Sequence, residues 1–114
     1  MAAQYSDEEL ATLKHICKGV KQAEEAGAVL FMLPKLKLPP GCQPAEADAL
    51  LCPTSRDGYP SRLYFAQQIA TPQPRNWNGQ WFVLERNWQA FSWRVNPEGL
   101  NLVQILQEHL EGLK

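Results

Sequence analysis

The hydrophobic period of this chain changes twice, and those changes constrain its fold class more than any other feature. Near the start, Leu10, Leu13, Cys17, Val20 and Ala23 recur at helical spacing. Ser6 and Glu9 match a capping box, in which a hydroxyl and a carboxylate satisfy free backbone N–H groups. Asp7, Glu8 and Glu9 favour the positive end of the helix dipole, and Tyr5 and Leu10 are spaced as a hydrophobic staple. These signals predict a helix over residues 7–26, with Gly27 as its stop. The pattern then becomes extended. Val29 to Leu33 is a short apolar run, interrupted by Pro34, after which Leu36 and Leu38 alternate with Lys35 and Lys37. Ala47–Cys52 and Leu63–Ile69 read as further strands, separated by a turn region from Pro53 to Pro60. Trp81–Leu84 and Trp88–Val95 read as two more, the second with Phe91, Trp93 and Val95 on one face. Asn78-Gly79 is the strongest tight-turn dipeptide. Helical period returns after Asn96-Pro97-Glu98, with Leu102, Val103, Leu106, Leu110 and Leu113 forming a stripe over residues 98–112. Helix, four or five strands, helix is an α+β order. It predicts two helices packed on an antiparallel sheet.

A chain of 114 residues reads as one domain, 1–114. Its formal net charge of −1 argues against nucleic acid as a partner through bulk electrostatics. No apolar stretch approaches the roughly 20 residues of a membrane span, so no membrane partner is expected. Met1-Ala2-Ala3-Gln4-Tyr5 has neither the basic flank nor the apolar core of a signal peptide. Three cysteines without metal-type spacing fit reduced thiols in the cytoplasm. His15 and His109 fall in opposite terminal helices without convergent ligands, so neither a metal nor another cofactor is expected.

Several segments, taken in order, carry a resemblance. They are Leu38-Pro39-Pro40-Gly41, Asp48-Ala49-Leu50-Leu51, Tyr59-Pro60, Leu63-Tyr64-Phe65, the block from Trp88 to Trp93, and the Leu-rich end from Leu100 to Leu113. Together, over roughly residues 36–113, they resemble the prokaryotic E2 family E proteins of the ubiquitin-conjugating (E2/UBC) superfamily. The resemblance implies an E2/UBC-like antiparallel β-meander flanked by an N-terminal and a C-terminal helix. It also implies a bacterial ubiquitin-like conjugation system, with a ubiquitin-like protein and/or an E1-like activating enzyme as partner.

The departures from that family's active members are as informative. The thioester cysteine of an E2 should follow the Tyr-Pro by about two dozen residues, yet Cys17, Cys42 and Cys52 all precede Tyr59. Thr71-Pro72-Gln73-Pro74-Arg75-Asn76 stands where a His-Pro-Asn would help hold the oxyanion. A thioester relay needs an exposed thiolate beside oxyanion donors, so the expectation is a non-catalytic adaptor. Its partner-binding residues are expected to be Tyr59, Pro60, Arg75 and Trp77, the last two exposed in a loop from Thr71 to Gln80. Two alternatives stay open. One is an active transferase with Cys42, expected in an exposed loop, as relocated nucleophile; Cys17 and Cys52 read as core. The other is an α+β protein-interaction module unrelated to ubiquitin.

Overall fold

A computed structural model describes residues 5–114; the leader reading at Met1–Gln4 lies outside them. The order of elements is α1 (Asp7–Ile16), β1 (Lys21–Glu25), β2 (Ala28–Lys37), β3 (Glu46–Cys52), β4 (Arg62–Phe65), β5 (Trp77–Val83), β6 (Arg86–Phe91) and α2 (Leu102–Glu111). The six strands form one sheet in the order β1-β2-β3-β4-β6-β5, every neighbouring pair antiparallel. The chain is therefore α+β, as its two changes of period predict.

Both helices lie on one face of the sheet. Leu13 from α1, with Leu102, Ile105 and Leu106 from α2, joins Phe31, Leu33, Leu51, Phe65 and Phe91 in the main core. Ser6 caps α1, and Glu9 reaches across to accept a hydrogen bond from the Leu102 backbone N–H at 3.2 Å. Leu30, Leu50, Cys52, Tyr64, Val83, Trp88 and Ala90 form a second core on the opposite face. The segment before β4 folds over it. Arg56 lies 3.8 Å above the Trp81 ring, and the Tyr64 hydroxyl donates to Asp57 at 2.5 Å. The central strands β3 and β4 are thus buried on both sides.

The sheet has six strands where four or five were expected, and several boundaries differ from the sequence reading: β4 stops at Phe65 rather than Ile69, β5 begins at Trp77 rather than Trp81, and β6 stops at Phe91 rather than Val95. The first helix ends at Ile16, because residues 21–25 pair with β2 through a tight turn at Ala26-Gly27. Lys21, Gln22, Ala23, Glu24 and Glu25 are good helix formers, but tertiary pairing overrides that weak preference. Gly27, at φ +81°, serves the hairpin rather than a helix end. Pro34 does not end its strand. β2 runs through it with an irregularity between Leu33 and Leu36, where a proline without an N–H is tolerated. Asp48 holds the irregular backbone by accepting from the Lys35 N–H at 2.8 Å. α2 starts at Leu102 rather than near residue 98. Pro97 to Leu100 forms a turn, and Asn101 with Gln104 makes the capping box.

Candidate partner-binding surface

The sequence-predicted site residues fall into two groups on different parts of the fold. Trp77 is the first residue of β5, not a loop residue. Its half-buried ring packs on Phe91 and Phe65, with centroids 5.1 and 6.0 Å away, on the helix-covered face. Arg75 is turned to α2. Its Nε donates to the Gly112 carbonyl at 2.5 Å, a second nitrogen donates to the Lys114 carbonyl at 3.3 Å, and the guanidinium stacks 5.2 Å from the Trp93 ring. Trp93 donates its indole N–H to the Glu108 carbonyl. Arg75 and Trp93 together satisfy carbonyls left over at the helix end. The expected exposed loop from Thr71 to Gln80 is therefore corrected: it ends at Asn76, Arg75 is turned onto the end of α2, and Trp77 opens β5 half-buried against the main core.

Tyr59 and Pro60 stand elsewhere. Asp57 and Gly58, both at positive φ, form a tight turn closed by paired backbone hydrogen bonds between Arg56 and Tyr59 at 2.9 Å. This turn sets the Tyr59 ring over Arg62, 4.1 Å from its guanidinium, with Arg94 at 5.3 Å. The Tyr59 hydroxyl donates to Ser92 at 3.2 Å, and Asn78 donates to the same Ser92 oxygen at 2.5 Å. Ser92 and Asn78, as donors available to the ionised oxygen, then the Arg62 and Arg94 charges, draw the Tyr59 phenol below its ordinary pKa. The side chain of Arg62 is almost wholly buried. It donates to Asn78 and to the Phe91 carbonyl and lies 3.6 Å from Asp57. Gly79 makes room for it, since a Cβ there would sit 2.8 Å from an Arg62 nitrogen. That close approach explains why Asn78-Gly79 lies inside a strand. Gly79 meets Arg62, and the turn between β5 and β6 falls instead at Leu84-Glu85.

The thiols are all inside and all unpaired. Cys42, expected in an exposed loop, is buried, with its Sγ 3.5 Å from the Leu113 carbonyl. Within Pro39–Pro44 only Cys42 is buried, turned in against the chain just past α2, which removes the exposure that a nucleophile there would need. Cys17 and Cys52 are buried as the sequence implied. Burial raises the pKa of all three thiols, so none is poised as a thiolate at neutral pH.

His109 is a residue whose setting the sequence did not disclose. It is buried on α2, with Nε2 2.9 Å from the buried Ser61 hydroxyl, which itself donates to the Val95 carbonyl at 2.7 Å. The serine proton is committed to Val95, so Nε2 must carry a proton and donate. Burial, helped by the nearby Arg62 charge, lowers the histidine pKa to about 4. The pair resembles a nucleophile and base only in composition. Both members are sealed in the core, and the hydrogen bond runs from histidine to serine.

No group of three or more His, Cys, Asp or Glu side chains placed to hold a metal ion occurs among the described residues. No helix among them is long and apolar enough to cross a membrane. Several arginines lie on aromatic rings of the same chain: Arg75 on Trp93, Arg86 on Trp88 and Arg56 on Trp81. The chain matches no protein-family model, no curated protein and no solved structure. Of the predicted partner-binding residues, Tyr59 lies in a cluster with Arg62 and Arg94, beside the β5 edge.

Proposed function

We propose that this protein is a non-catalytic, E2-like adaptor of a bacterial ubiquitin-like conjugation system, acting in the cytoplasm. It would bind the ubiquitin-like modifier or its E1-like activating enzyme without accepting a thioester. The observation that carries the non-catalytic part is the burial of every thiol, with all three pKa values raised. An acyl acceptor needs an exposed thiolate, and the fold offers none. The E2-like part is supported by where the resembling segments fall. Asp48 to Leu51 and Leu63 to Phe65 lie in adjacent antiparallel strands of the sheet, joined through the segment that carries Tyr59-Pro60.

The test uses a ubiquitin-like modifier and an E1-like activating enzyme from the same organism, with ATP. We expect saturable, non-covalent binding of the modifier or the activating enzyme, and no adduct that a reductant removes. A reductant-sensitive adduct that disappears in Cys42→Ala would replace the adaptor with a transferase. Absence of any binding to either component would leave an α+β interaction module outside ubiquitin chemistry.

A further inference from the structure

The two edges of the sheet are built differently. β1 carries Lys21, Glu24 and Glu25 on an exposed strand, the kind of charged edge that resists further pairing. β5 carries no charged residue from Trp77 to Val83. Its irregularity is confined to Trp77–Gly79, and from Gly79 to Val83 it pairs with β6 in unbroken register. The two-residue turn at Leu84-Glu85 makes Val83 and Arg86 a hydrogen-bonded pair, and pairs alternate from there. Gln80 and Phe82 therefore direct their backbone N–H and C=O groups away from β6, toward the open side. The Phe82 side chain is 68% exposed, the most exposed large apolar side chain among the described residues.

Charge identifies the occupant. Beside the Asn78 end of this edge, Arg56, Arg62 and Arg94 gather around the Asp57-Gly58-Tyr59 turn. Arg56 and Arg62 lie against the Asp57 carboxylate while Arg94 donates to the Gly58 carbonyl, so three guanidinium groups share one carboxylate in the cluster, an excess of two positive charges. Arg62 is enclosed, but Arg94 is exposed and Arg56 half-exposed. We infer that the edge from Gly79 to Val83 takes up an extended, acidic segment of a partner protein as a seventh strand, with Phe82 packing on its apolar residues and Arg94 and Arg56 meeting its carboxylates. Main-chain pairing gives such a strand affinity, and alternate side chains give it specificity. A second copy of this chain fits less well, because the strand it would offer, its own β5, carries no carboxylate for the guanidinium groups. A nucleic-acid backbone offers phosphates to the guanidinium groups but no ladder of N–H donors for the outward carbonyls.

This inference deepens the adaptor reading and rests on it only for the identity of the partner. Its test needs neither the modifier nor the activating enzyme. A fluorescent eight-residue peptide alternating valine and glutamate is titrated into the full chain, beside three controls. These are the same peptide with lysine for glutamate, one N-methylated at alternate amides, and a single-stranded oligonucleotide of the same charge. We expect binding of the acidic peptide alone. Phe82→Ser and Arg94→Glu, both at exposed positions, should each weaken it about tenfold, a change of about 1.4 kcal/mol. The inference is overturned by no binding, by binding indifferent to N-methylation, by preference for the lysine peptide or the oligonucleotide, or by a dimer in sedimentation that Phe82→Ser dissolves. If the modifier binds but Phe82→Ser leaves that binding unchanged, the surface is wrong and the adaptor reading stands.

Discussion

Trp77→Ala is expected to destabilise the fold by about 2–3 kcal/mol, lowering the melting temperature by roughly 10 °C. The ring packs between Phe91 and Phe65 at the start of β5, in contact with the main core. A fully buried tryptophan truncated to alanine costs about 3–5 kcal/mol. Trp77 is half-buried, so the lower figure applies. Trp77→Phe should recover most of the loss, because an aromatic ring in the same place keeps the stacking. A thermal melt of both variants decides the matter. An unchanged melt for Trp77→Ala would return the residue to the exposed role that its Pro- and Asn-rich neighbourhood suggests.

The second large effect is a dependence of stability on pH set by His109. In the unfolded chain its imidazole titrates near 6.5, whereas in the core the pKa falls to about 4. Above the unfolded value both states are neutral and the full stability is present. As pH falls from 6.5 to 4, the unfolded chain takes up a proton that the folded one refuses, and stability is lost. A shift of that size corresponds to about 3 kcal/mol at pH 4 relative to pH 7. The groups around the ring do not offset the loss. Ser61 and Val95 offer no charge, and Arg62 opposes a second cation. Asp48 contributes in a lower window. The Lys35 N–H and the Arg86 guanidinium hold its carboxyl below the usual carboxylate range. His109→Gln keeps a donor for Ser61 without a titrating group. Urea denaturation between pH 7 and 4 should therefore give a steep slope for the native chain and a flattened one for the variant. Equal slopes would show that the histidine does not carry the effect.

The fold class was legible because it depends on hydrophobic period, and the two changes of period are real. Leu13, Phe31, Leu51, Phe65, Phe91 and Leu106 are all core, as their spacing required. Errors arose where a local signal served a different purpose. Residues 21–25 have the composition of a helix, but their backbone groups find better partners in β2 than in a further turn of α1. Asn78-Gly79 has the composition of a hairpin tip, but Gly79 makes room for the Arg62 guanidinium. The tip itself, Leu84-Glu85, uses two residues at φ +52° and +61° that give no turn signal. The Asp57-Gly58 turn lay within the expected turn region, yet nothing local in the sequence placed Tyr59 between Arg62 and Arg94. Pairing at a distance decides such clusters, and the same limit hid the Ser61–His109 contact, whose members lie 48 residues apart.

The burial of Cys42 separates adaptor from transferase, and thiol accessibility tests it most directly. A small aromatic disulfide reagent is added to the native protein at neutral pH, and the released thiolate is followed with time, then again in denaturant. The structure predicts negligible release from the native chain within minutes and release from all three cysteines once it is unfolded. Rapid native release of one equivalent, lost in Cys42→Ala, would contradict the account. It would place a reactive thiol at the surface, where a transferase needs it.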